Sequence, residues 1–206
     1  MQNRSETLPT HRPSAGQVTA WASSVILVLG LSCLALGIWG AWLPHRAAGL
    51  VILGIDLAEY VKFIPEVSSG QIPLSREVFF NPLLALMLTL WLMAVSRRLP
   101  LTLAVRAVLL CLAVPATLAL LPPAWTPALL RTAEFRTQTL YILLLLAGIV
   151  LSPLFYRYLP ARLPAVLLVL VGLLPFPALR AYLLLQPALA GLYGEPVQPG
   201  WGFYFT

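Results

Sequence analysis

Charge is what this chain has least of: 10% of its 206 residues are charged, only seven are acidic, and 60% are hydrophobic. With a strongly positive mean hydropathy, that balance excludes an ordinary soluble globular domain. Cysteine is nearly missing too. Cys33 and Cys111 lie inside apolar runs without a CxxC, which excludes a disulfide framework and a thiolate zinc site and leaves two buried, inert thiols as the expectation. Histidine is limited to His11 and His45; haem b would need a pair of histidines on facing helices in mid-membrane. No HExxH or GxSxG occurs, and DLAE at 56–59 is an isolated acid pair, so the chain is expected to be non-catalytic and free of cofactors.

The net charge of +6 would suggest nucleic acid in a soluble protein. Here the basic residues sit in short connections between apolar runs, a pattern that sets membrane orientation rather than gripping phosphates, and no nucleic-acid partner is expected. The lipid bilayer is the expected partner.

What is present is a succession of long apolar runs. Residues 1–18 are polar and read as a flexible tail. Spans are expected at about Ala20–Leu43, Val78–Val95, Leu101–Leu121, Thr139–Tyr156 and Leu163–Leu185, each near the ~20 residues that cross a bilayer. Prolines punctuate the joints SRRLP, PPAWTP and YRYLPARLP. The fold class is therefore all-α, a polytopic integral membrane bundle of five transmembrane helices in a single domain over residues 19–185. Residues 186–206, rich in Gly, Pro and aromatics, read as a strap too broken to span. Arg4, Arg12, Arg97, Arg98, Arg157 and Arg162 then fall on one side, against Arg46, Lys62, Arg76, Arg131 and Arg136 on the other. The richer side should be cytoplasmic, with the N-terminus inside and the C-terminus outside.

LVILGIDLAEYVKFIPEV, residues 50–67, breaks the pattern. Three charges near its centre cost roughly 2.5 to 3.5 kcal/mol each, while each apolar residue returns only about 0.3 to 0.6 kcal/mol. Residues 47–64 are thus expected to form one helix that does not cross alone, interfacial or packed on the bundle and ended by Pro65. Its Asp56, Glu59 and Lys62 share one arc, with Glu59 and Lys62 placed to pair.

Several residues stand out as candidates. Asp56, Glu59, Lys62 and Arg180 form a candidate intramembrane polar site, with Arg180 expected to bridge to Asp56 or Glu59. Arg106, one turn into its span, is expected to snorkel. Pro175 and Pro177, near Gly172, predict a kink. Gly30, Gly37 and Gly40 offer a helix-packing face, and Trp201, Phe203, Tyr204 and Phe205 an interfacial or partner contact. The first functional expectation is a non-catalytic accessory or scaffolding subunit of a membrane complex, working against another membrane protein subunit. The alternatives are a small transporter or channel component using Asp56, Glu59 and Arg180, and a membrane-embedded enzyme acting on lipid. A cavity reaching Asp56 would favour transport; a closed bundle with an apolar groove would favour the subunit.

Overall fold

The computed structural model describes residues 15–44 and 51–206. His11, His45, Arg46, most of the N-terminal tail and the first four residues of the expected charged helix lie outside the described residues. The chain is mostly helical. In order come α1 (Ala15–Trp39), strands β1 (Ala41–Leu43) and β2 (Ile52–Leu53), the short helices α2 (Leu57–Tyr60) and α3 (Pro65–Ser68), then α4 (Asn81–Val95) behind a 3-10 turn at Arg76–Phe80. There follow α5 (Leu103–Leu118), α6 (Arg136–Val150), α7 (Ser152–Tyr158), α8 (Leu163–Val171), α9 (Pro175–Tyr193) and α10 (Trp201–Phe205).

Among the described residues, three helical segments are long and apolar enough to cross a membrane: Ala22–Trp39, Arg76–Val95 and Leu163–Tyr193. The pair α6–α7, bent by 63°, makes a fourth if taken as one span. The bend has a local cause. Pro153 cannot donate to the carbonyl of Ile149, and the Trp91 indole of α4 enters the break, donating to the Gly148 carbonyl at 2.9 Å and to the Ser152 hydroxyl at 3.1 Å. Helix α4 is the core element: Leu83, Leu86, Met87, Leu90 and Leu92 are buried, as are Ala181, Tyr182, Leu185 and Leu189 of α9.

At Pro175 and Pro177, where a kink is expected, the helical ladder is interrupted between α8 and α9, while Leu163–Tyr193 remains one long apolar helical segment. Pro175 and Pro177 leave the carbonyls of Val171 and Leu173 without their usual donors. Those carbonyls accept instead from the N–H groups of Leu174 at 3.0 Å and Phe176 at 3.3 Å, so the ladder tightens to three-residue spacing through residues 172–174.

Three expectations need correction. The segment 47–64 is not one helix. Ile52 and Leu53 pair antiparallel with β1, so these two residues are strand where helix is expected. Gly54 then meets the end of α1 so closely that a Cβ there would lie 2.5 Å from the Trp42 indole nitrogen and 3.0 Å from the Gly37 carbonyl. Helix begins only after this contact, and it stops at Ile64, held extended (ψ 120°) by the Pro65 that follows. Pro65 itself opens α3. Second, the strap does not begin at residue 186: α9 runs through Pro187 to Tyr193, where Gly194 at φ 70° caps it. Burial of Leu185, Ala188 and Leu189 outweighs the one donor that Pro187 lacks. Third, Cys33 and Cys111 are exposed on helix surfaces rather than buried.

Candidate functional site

The charged stretch builds its site with partners that the sequence kept far apart. Glu59 and Lys62, three residues apart across α2 and the turn after it, form the expected pair at 2.5 Å. Arg76, at the start of the 3-10 turn before α4, donates to Glu59 at 2.8 Å and to the Glu134 backbone carbonyl at 2.7 Å. The Glu134 carboxylate accepts from Lys62 at 2.8 Å. Both cations lie over the Phe135 ring, Arg76 at 4.9 Å and Lys62 at 5.6 Å from its centroid. The result is two carboxylates and two cations in a closed ring around one aromatic face. Arg76 is its hub, with only 10% of its side chain exposed.

The electrostatics follow. Burial pulls Lys62 down, but its hydrogen bonds to Glu134 and Glu59 outweigh that, and its pKa is raised. The hydrogen bond from Lys62 holds the Glu134 carboxyl below the usual carboxylate range. Arg76 and Glu134 were not singled out from the sequence, because their partners are 17 and 72 residues from them.

Asp56 and Arg180 do not join the ring. Among the described residues neither takes part in an ion pair, and both are exposed. The expected bridge from Arg180 to Asp56 or Glu59 is therefore not formed. Desolvation by neighbouring groups holds the Asp56 carboxyl above its ordinary value, against a hydrogen bond from the Leu53 backbone. A group shifted this way contributes stability below its unfolded pKa and loses that contribution as pH rises through the folded value. At neutral pH, Asp56→Asn is thus expected to leave the melting temperature unchanged or slightly raised, with an effect under about 1 kcal/mol for so exposed a group. A clear drop in thermal unfolding of Asp56→Asn at pH 7 would mean that the carboxylate is paired.

The glycine face and the aromatic tail, read as separate features, meet each other. A Cβ at Gly37 would collide with Thr206, and one at Gly40 would lie 2.7 Å from both the Gly202 Cα and the Trp201 ring. Gly30 touches nothing within 4 Å. The tail thus docks α10 on the end of α1, with Gly200 donating to the Trp42 carbonyl at 2.9 Å. Beneath it Trp42, fully buried, stacks edge-on to Tyr182 at 5.4 Å, Phe203 at 5.5 Å and Phe79 at 6.5 Å. Its indole donates to the Gly37 carbonyl at 2.9 Å, and the Tyr182 hydroxyl donates to the Trp42 carbonyl at 2.7 Å. Phe203 is thus a core contact, while Trp201, Tyr204 and Phe205 remain largely exposed.

At the far end of α4, Arg106 does not snorkel freely. Its guanidinium donates to the carbonyls of Ala94 (2.5 Å), Ser96 (2.8 Å), Leu99 (3.0 Å) and Leu101 (3.2 Å), and it lies 4.9 Å from the Tyr156 ring centre. It closes the end of α4 and the connection to α5. Two grooves open on the surface. One, of about 480 Å³, lies between α1, α4 and α5, with Val28, Ala35, Leu90, Leu112 and Ala116 in its walls. The other, of about 350 Å³, lies beside Arg106 and Tyr156. Neither has Asp56 or Arg180 in its walls. Among the described residues, no three His, Cys, Asp or Glu side chains converge to hold a metal.

No protein-family model, curated protein or solved structure matches this chain. Composition and fold define a class only: a mostly helical chain whose three long apolar helices are compatible with a place in a membrane.

Proposed function

We propose that this is a non-catalytic, multi-pass protein of the cell membrane, acting as an accessory or scaffolding subunit of a membrane complex. The observation that carries the reading is the apolar groove between α1, α4 and α5. Helix α1 buries little of itself: 11% of its spanning window is inside the protein, against 67% for the span at α4. Val28 and Leu29 are more than half exposed. The small residues Ser32, Ala35 and Ala116 in the groove's walls would let a second backbone approach closely, which is how helices associate in lipid. The transporter reading has less support, since Arg180 meets neither Asp56 nor Glu59.

Five crossings are part of the proposal. Contacts tie residues 59–77, 134 and 193–206 to one end of the bundle, through Lys62 to Glu134, Tyr60 to Tyr193 and Gly200 to Trp42. The Arg97 contact to the Leu159 carbonyl ties the two arginine-bearing connections at the other end. A chain passing between those ends through α1, α4, α5, α6–α7 and α8–α9 crosses five times. The arginine-rich connections are cytoplasmic on this reading, with the C-terminus outside.

Single cysteines in a chain lacking Cys33 and Cys111 test both parts. An impermeant thiol reagent is expected to label Ser69→Cys in intact cells and Ala161→Cys only after permeabilisation; the reverse pattern overturns the orientation. A crosslinker on Leu112→Cys in native membranes is expected to give one protein adduct of defined mass. That adduct should be lost when Ala35→Trp fills the groove and missing from Val150→Cys on an exposed face of α6. Adducts of lipid size alone, or the same adduct from Val150→Cys, would refute the subunit reading.

A further inference from the structure

The acids of this chain are distributed unevenly. From Val78 to Ala133, and again from Phe135 to Gly194, there is none. The connections 96–102 and 157–163 nevertheless carry Arg97, Arg98, Arg157 and Arg162, with Arg106 one turn into α5. The nearest acids along α4 gather at Arg76, at the other end of a helical segment about 30 Å long. That is several times the ~10 Å over which charges act in about 0.1 M salt, so among the described residues five guanidinium groups share one end of the bundle without a carboxylate.

Arg106 sits where this charge meets an apolar wall. Four of its N–H groups are used on carbonyls, and one remains of the five a guanidinium carries. Among the described residues no carboxylate pairs with it, and its compensation is the partial negative charge at the end of α4, about half an elementary charge, together with the face of Tyr156. The groove beside it, about 350 Å³, has Val95, Leu101, Leu103 and Leu110 in its walls, and Arg106 and Tyr156 among them. Arg157, one residue beyond Tyr156 and outside the groove's walls, is exposed with its guanidinium 5.5 Å from the Tyr158 ring centre. One molecule has both the anionic head and the hydrocarbon tail that this pairing fits. We propose that the groove between α5 and α7 binds one anionic phospholipid, its phosphate held by Arg106 and Arg157 and an acyl chain laid against Leu103 and Leu110. The inference rests on the membrane reading above.

The full chain in mild detergent is given phosphatidylglycerol or phosphatidylcholine of the same acyl chains, and bound lipid is counted by native mass spectrometry. Retention of phosphatidylglycerol is expected to exceed that of phosphatidylcholine about tenfold, and Arg157→Gln to lower it about fivefold, the effect of one basic residue at an anionic surface. Leu103→Gln should lower retention of both lipids. Lys62→Gln, at the opposite end, should change neither. Arg106→Gln would uncap four carbonyls and is not used. Equal retention of the two lipids overturns the site. So does an equal loss in Lys62→Gln, which would signify net charge alone, or displacement of the lipid by excess inorganic phosphate, which would signify an anion site without a lipid tail. Vesicles of each lipid separate the two levels of the argument. A chain that enters both kinds but shows no preference loses only this site, whereas a chain that enters neither loses the membrane reading with it.

Discussion

Arg76→Gln is expected to lower the stability of the detergent-solubilised protein by about 1 to 3 kcal/mol, less than the roughly 3 to 5 kcal/mol for a fully buried pair because Glu59 and Glu134 are partly in solvent. Arg76 holds Glu59, the backbone of Glu134 and the face of Phe135 together, and its removal leaves Glu59 with Lys62 alone. Lys62→Gln should cost less, about 1 kcal/mol or under, because its side chain and that of Glu134 are partly in solvent. The two should not add, since they share Glu59 and Glu134. Thermal unfolding across pH gives a second reading. Glu134, held low by Lys62, contributes stability above its unfolded pKa and loses it as pH falls through the folded value, below about pH 4. Lys62, held high, contributes below its unfolded pKa and loses that contribution only as pH climbs past about 10.4. A flat melting temperature between those limits, with a fall on the acid side that shrinks in Lys62→Gln, is the expected profile. An Arg76→Gln protein that melts like the parent would show that the ring contributes little.

Gly202→Ala should be as damaging. Gly202 and Gly40 face each other backbone to backbone, and a Cβ at Gly202 would lie 2.6 Å from the Gly40 carbonyl carbon and 2.9 Å from its Cα. Neither is the far end of a flexible side chain, so α10 has to move, at a cost of about 1 to 3 kcal/mol typical of overpacking. Undocking would uncover Phe203 and the Trp42 cluster and open residues 195–200 to protease. Gly30→Ala is the control: with nothing within 4 Å it should stabilise α1 by up to about 1 kcal/mol through helix propensity. Limited proteolysis and melting of the two variants decide the matter, and equal resistance in both would dismiss the docked tail.

One break in this fold was legible from missing backbone donors, whereas the bend at Pro153, inside the expected span Thr139–Tyr156, was not. Pro175 and Pro177 lack donors whatever surrounds them, so the interruption at residues 172–174 could be placed from the sequence. The Glu59–Lys62 pair was legible for the same local reason, since a spacing of three residues brings side chains together on any helical turn. The segment 47–64 was misread because its periodicity is compatible with helix, while the competing hydrogen bonds come from β1 and the end of α1. Gly37 and Gly40 were recognised as a packing face without any sign that the occupant is the chain's own tail, more than 160 residues away.

By itself the sequence determined the solvent this chain suits and which backbone nitrogens cannot donate, because burying so many apolar side chains and lacking amide donors are properties of the residues alone, while packing decided whether a helix stops there, as α9 runs on through Pro187. Tertiary structure decided which charges meet. Glu59, Lys62, Arg76 and Glu134 close a ring, Arg180 stays apart and Arg106 caps α4, because the interaction between charges depends on distance and dielectric, and both are set only when distant segments pack.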